Sequence, residues 1–282
     1  FQGCTKLTDI NIPNGITHIG SYAFAGCTSL MDISIPENLV AMDNNVFDGC
    51  TGLNNIVLPE SVQVIGSNAF NSCTALKRIL IPENVTSMGK YAFNGCTALE
   101  EIIYNAKAME DTDSNNYFFA NAGTSGSGIT VTFGAEVTKI PAYLLWPSTS
   151  SGYTPNIVRI VFEEGSVCDS IGTYAFAYCK GLTEITLPEG LTTINSYSFN
   201  GCSGLTRITV PESVTTIKSG AFNGCSGLVS AGPVGGDYSY EFGWTESIPA
   251  YAFYDCKKMV SVVIPEKITS IGKSAFSGCT AL

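Results

Sequence analysis

Residues Cys27–Cys50 read CTSLMDISIPENLVAMDNNVFDGC, and their apolar side chains fall at Leu30, Ile33, Ile35, Leu39, Met42 and Phe47. The pair Ile33 and Ile35 alternates in and out as a short strand, and Pro36 ends it because proline has no N–H to give a ladder. A second β-branched stretch follows in other copies, such as Val214 to Ile217. In several copies a glycine comes next (Gly20, Gly66, Gly89, Gly172, Gly272), where the spacing predicts that the chain turns. The closing Y-A-F-x-G-C segment reads as a single helical turn. No unit of this length buries its apolar face alone, so neighbouring copies must stack, with parallel strands ~4.8 Å apart.

The copies run the length of the chain. Cys4, Cys27, Cys50, Cys73 and Cys96 are 23 residues apart, and the spacing returns from Cys179 through Cys202 to Cys225 and from Cys256 to Cys279. A phenylalanine column from Phe1 and Phe24 to Phe253 and Phe276, with Leu145 as its one substitute, marks twelve units. An array of that size would extend about 55 Å. Length alone favours two domains, but the register predicts one domain over 1–282, with irregular units at 105–170 and 231–247. Phe1 already occupies the phenylalanine column and Leu282 breaks off as a new unit begins, so both ends are expected to be cut inside the array.

Composition excludes several function classes. With 282 residues, 45% hydrophobic and 13% charged, the chain has material for a long core. A formal charge of −10 and scattered basic residues argue against nucleic acid, which needs clustered Lys and Arg. The same charge disfavours anionic membrane, and no apolar run reaches the roughly 18 residues of a membrane-spanning helix. Eleven cysteines would ordinarily suggest disulfides or metal. Ten stand in one inward column, a poor geometry for the Cβ approach a disulfide requires, and Cys168 aligns with apolar positions such as Leu39, so reduced core thiols are expected. Zinc would need close cysteine pairs or histidines, and His18 is the single histidine. The glutamates after the prolines (Glu37, Glu60, Glu83, Glu189, Glu212, Glu266) offer one carboxylate per unit, too few for the six to eight oxygens of calcium. No nucleophile–base pair or phosphate-binding motif emerges, so neither an enzyme, a cofactor nor a metal is expected.

The segment CTALKRILIPENVTSMGKYAFNGC, from Cys73 to Cys96, resembles the BspA-like, or Treponema pallidum type, leucine-rich repeat. The resemblance covers nearly the whole chain and weakens at 105–128 and 146–170. It implies a right-handed leucine-rich-repeat solenoid of the α/β class, with a parallel β-sheet on one face, short second strands and one helical turn per repeat. It also implies a bacterial cell-surface or secreted protein, some members of the family being adhesins for host matrix proteins or other bacteria.

Two features stand outside the repeat. The interruptions carry WPSTSSGYTPN from Trp146 and GPVGGDYSYEFGW from Gly232 to Trp244, bringing Trp146, Tyr153, Tyr238, Tyr240, Phe242 and Trp244 onto loops of a rigid scaffold, where recognition residues commonly sit. The alternative is that these aromatics fold back over a core gap in a distorted unit. On the sheet face, Val57, Leu80 and Ile103 point outward from adjacent units as an apolar strip, either a partner site or β-branched filler. The expected function is non-enzymatic binding of a host or bacterial surface protein or glycan. The alternative is a structural spacer that projects another domain.

Overall fold

The computed structural model describes residues 1–147, 154–243 and 245–282. By contacts the chain forms two compact units. One comprises Phe1–Gly134 with the described residues of 146–156, the other Ala135–Leu145 with Ile157–Leu282.

In the first unit the 23-residue period becomes strand register. His18–Ile19, Ala41–Met42, Val64–Ile65 and Ser87–Met88 form one parallel sheet in which Ile19, Met42, Ile65 and Met88 align. The I-x-I stretches build another, Arg78–Ile81, Glu101–Tyr104 and Ile129–Phe133, with Ile79, Ile102 and Val131 in line. Burial alternates along these strands as the sequence predicts. The first three copies differ, for no strand is assigned at Ile10–Ile12, Ile33–Ile35 or Ile56–Leu58. Even so Ile33, Ile56 and Leu58 are buried. Inward alternation there survives without a continuous ladder.

Between the sheets runs the phenylalanine column. Phe24, Phe47, Phe70, Phe93 and Phe119 stack with ring centroids 5.1–5.4 Å apart, the offset-stacked range in which aromatic pairs attract beyond their area burial. Alongside it the thiols form a second ladder. Cys50 Sγ donates to the Phe24 carbonyl at 3.1 Å, Cys73 to Phe47 and Cys96 to Phe70 at 3.2 Å. A cysteine therefore ties each of these three copies to the one before it.

The expected helical turn is not there. Along Gly89–Cys96 every second N–H leaves the segment: Tyr91, Phe93 and Gly95 donate to the Asn116, Phe118 and Ala120 carbonyls of the next copy at 2.8 Å. The intervening N–H groups of Ala92, Asn94 and Cys96 close tight turns onto carbonyls three residues back. Tyr91 and Gly95 stand at φ 59° and 71°, in the left-handed region. A right-handed helix cannot contain left-handed residues at every fourth position, and half of its N–H groups are spent on the neighbour. Gly66 also departs from its expected role. Its φ is not positive, and a Cβ there would stand 2.2 Å from the Asp43 carbonyl oxygen, so close backbone approach explains the residue.

The second unit repeats the pattern. Lys139–Ile140, Ser170–Ile171, Thr193–Ile194 and Thr216–Ile217 pair in parallel at the same register. The other sheet runs Glu184–Thr186, Arg207–Thr209, Tyr240–Phe242, Ser230–Pro233, Ser261–Val262, so a strand late in sequence lies between two earlier ones. Ile208 aligns with Tyr240 on one side, and Ala231 with Tyr240 on the other. The 31-residue step from Cys225 to Cys256 is therefore used to slip an extra strand between consecutive copies.

Candidate binding surfaces

The outward strip is present in the first unit. Leu80, Ile103 and Thr132 occupy one register line on the sheet, Leu80 and Ile103 half-buried, while Val57 one copy earlier is 70% exposed. Ion pairs frame it: Arg78 Nε lies 2.6 Å from Glu101 Oε2, and Lys107 Nζ lies 2.6 Å from Glu83 Oε2. Such exposed pairs add about 0–1 kcal/mol each to stability, but they border an apolar centre with a charged rim.

The inserted aromatics separate into different environments. Trp146, in the first unit, and Tyr238, in the second, are half-buried. The ring of Tyr238 covers Gly232 and Gly236, where a Cβ would come within 2.3 and 2.1 Å of it. Tyr240 and Phe242 are each 2% exposed, which corrects the expectation that they present aromatic surface. As the strand inserted beside Arg207–Thr209, they send their rings inward. Tyr240 meets Phe222 and Phe253 edge-on at 5.1 and 4.8 Å, and the Phe222–Phe253 separation widens to 5.9 Å. Here the aromatics fill the core of the enlarged step. Tyr153 and Trp244 lie outside the described residues.

Two features were not read from the sequence. Residues two before the phenylalanine column hold positive φ, and many are tyrosine. In the second unit Tyr143, Tyr174 and Tyr197 stack at 5.3 and 4.9 Å, and Tyr197 ends over Gly220, where a Cβ would lie 2.2 Å from its ring. In the first unit Tyr91 and Tyr117 stack at 5.6 Å, with the Lys90 ammonium 5.0 and 5.6 Å from the two centroids, in cation–π range. The signal was the recurrent Tyr-Ala-Phe, whose tyrosine has no place in an apolar period.

The other feature is a cleft of about 640 Å³ in the second unit, lined by Val158–Glu163, Gly165, Ser166 and Thr183–Glu189. It runs along strands Ile157–Phe162 and Glu184–Thr186, which no ladder joins among the described residues. From Phe162 to Phe176 the chain is two residues longer than from Leu187 to Phe199, and Glu163 stands where the later copy has Pro188. The extra residues enlarge the turn, with Gly165 at φ 76°, and Phe162 remains half-buried whereas Leu187 is buried.

Titratable chemistry is muted. Ten of the eleven free thiols are buried, and Cys4 is exposed. Desolvation pushes the Cys50, Cys96 and Cys202 thiols up to about 12 and Cys168 to about 11, the opposite of what a nucleophilic thiolate needs. His18 is exposed, with Nε2 3.2 Å from Asp43 Oδ2. In the glutamate column, Glu60 Oε2 accepts the Glu83 N–H at 3.1 Å, so carboxylate and backbone interlock at that edge. Among the described residues no three His, Cys, Asp or Glu side chains converge as a metal site, and no helix is long and apolar enough to cross a membrane.

A family model described as the BspA type leucine-rich repeat region matches residues 1–125, 151–232 and 245–282 in six copies. No curated protein matches the chain. Among solved structures, a leucine-rich repeat protein from Bacteroides ovatus is 27% identical over 100% of this chain and 67% of its own, with a TM-score of 0.64. A leucine-rich cell surface protein from Faecalibacterium prausnitzii is 24% identical over 79% of this chain and 78% of its own, with a TM-score of 0.33. The T. pallidum leucine-rich repeat protein is 23% identical over 76% of this chain and 72% of its own, with a TM-score of 0.34.

Proposed function

Because the chain belongs to the BspA-type leucine-rich repeat family, we propose that it is a non-enzymatic binding and adhesion module of a bacterial surface or secreted protein, contacting a host or bacterial surface protein or a glycan. The observation that carries this reading is the Val57–Leu80–Ile103 strip with its rim of ion pairs. An apolar centre inside a polar border is the anatomy of a protein interface. Trp146 and Tyr238 supply further half-buried aromatic surface within their own units.

The test is a binding screen against immobilised matrix proteins and glycan arrays, comparing the native chain with a Val57→Lys, Ile103→Lys variant and a Trp146→Ala, Tyr238→Ala variant. Burying two unpaired ammonium groups at the centre of a contact should weaken binding at least about tenfold. Equal binding by the lysine variant would remove the strip as the site. A second reading, a structural spacer that projects another domain, draws support from the self-packing of Tyr240 and Phe242. Retention of no ligand at all by the native chain would favour the spacer.

A further inference from the structure

The four charges that frame the apolar strip of the first unit follow a pattern of sign. In the repeat that holds Leu80, Arg78 stands at one end of the strand and Glu83 beyond the other. In the repeat that holds Ile103, Glu101 and Lys107 stand beside them with the signs reversed. Positive charges therefore occupy one diagonal of the strip and negative charges the other. The residues just before each strand extend the contrast, with Lys77 in one repeat and Glu100 in the next, both exposed. Arg78 pairs with Glu101 and Lys107 with Glu83, yet all four side chains keep 41–59% of their surface in solvent.

Such a pattern is complementary to itself. A half-turn about an axis that lies in the sheet surface, parallel to the strands and midway between the two repeats, exchanges their places. Arg78 then meets the partner's Glu101, and Glu83 meets the partner's Lys107. Along the strip Leu80 meets the partner's Ile103, and Val57 meets the partner's Thr132, which continues the line of Leu80 and Ile103. Each charge gains a second opposite neighbour and keeps its first. A half-turn about the perpendicular in-plane axis would instead set exposed Asp32 over the partner's Glu37, carboxylate on carboxylate, two repeats before Arg78.

We propose that the Val57–Leu80–Ile103 strip docks a second copy of this chain, face to face, about the two-fold axis parallel to the strands. The same patch then serves both partners, as in any isologous contact. This rests on the reading of the strip as a contact surface and names the bacterial surface protein it contacts as the chain itself. Four repeats spaced ~4.8 Å apart, each presenting about 20 Å of strand, give a footprint of roughly 400 Å² per partner. A standard stable interface uses about 800 Å². The dimer is therefore weak and forms where the chain is concentrated, as on a surface that displays many of them.

Sedimentation equilibrium of the chain from about 10 μM to about 1 mM tests this. The weight-average mass should climb toward that of a dimer, and added salt should weaken the association by screening the charges. Arg78→Glu and Glu101→Arg each set like charges across the contact and should weaken association about tenfold or more. The native ion pair is exposed and adds little to stability, so both variants fold. An equimolar mixture of the two should associate about as strongly as the native chain, because each variant presents to the other the charge it lacks. A native chain still monomeric at about 1 mM, variants that associate as the native chain does, or a mixture that fails to recover would each overturn the two-fold contact. Retention of a matrix protein or glycan by a chain that stays monomeric would overturn this inference and leave the adhesive reading standing. A dimer that retains neither would support the contact and remove the foreign ligand.

Discussion

Tyr104 shows how far a single position can depart from its column. It takes an inward place filled by Ile81 in the preceding copy and Phe133 in the next, it is 1% exposed, and its ring meets Phe133 edge-on at 5.6 Å. Its hydroxyl is buried without a hydrogen-bond partner, and burial drives its acidity below that of an ordinary phenol. A buried, unbonded hydroxyl carries a desolvation cost with no return, so Tyr104→Phe should stabilise the protein by about 1 kcal/mol. Urea unfolding would check this, and a destabilised phenylalanine variant would mean that the hydroxyl has a partner. Residues that serve the period were legible in the sequence: Phe93 and Cys96 are where their columns put them, inside and stacked. Tyr240 was not legible, because an interruption announces that the period has failed without saying which of its aromatics turns inward. The two-register pairing of its strand decides that, and pairing is non-local.

At the scale of the element, the closing turn of each repeat is the clearest departure from expectation. Tyr-Ala-Phe-Asn-Gly-Cys has helical spacing, yet its donors alternate between the turn and the next copy. Periodicity reports which side chains face the core and does not distinguish a helical turn from linked β-turns that place the same residues inward. Left-handed residues made the difference visible in retrospect. Positions two before and two after the phenylalanine are held by Gly, Asn, Ser, Asp or Tyr at positive φ, and never by a β-branched residue. Asn68, at φ 55°, tests this element. Its N–H donates to the Lys90 carbonyl at 2.9 Å, so the strain is bound to the stacking of copies. Asn68→Gly should leave stability within about 0.5 kcal/mol, and Asn68→Val should cost about 1–2 kcal/mol by placing a β-branched side chain in the left-handed region. If thermal melts rank valine level with glycine, the left-handed turn is not what the element requires.

For the whole molecule the ladder of thiols has the widest consequence, because eight buried cysteines each hydrogen-bond a phenylalanine carbonyl of the preceding copy. The phenylalanine column carries no titratable group, but the thiols tie stability to alkaline pH. Their ordinary value is 9.0, and burial raises Cys50, Cys96 and Cys202 to about 12 and Cys168 to about 11, with Cys73, Cys179 and Cys225 also raised. The folded state holds these protons more tightly than the unfolded chain. Their contribution is therefore complete below pH 9 and is lost as pH rises from there through about 12. Within that window each buried thiol removes about 1.4 kcal/mol per pH unit, and the effects of several thiols accumulate. Under reducing conditions the melting midpoint should therefore hold steady up to pH 9 and then fall steeply. Thiol accessibility provides the companion measurement: in native protein at about pH 8 an aromatic disulfide reagent should reach Cys4 at once and the ten buried thiols only on unfolding. Prompt reaction of the full set would show that the stacked copies open readily. A midpoint unchanged well above pH 9 would show that the thiols ionise in place, and in either case the cysteine column could not be the sealed seam that joins one repeat to the next.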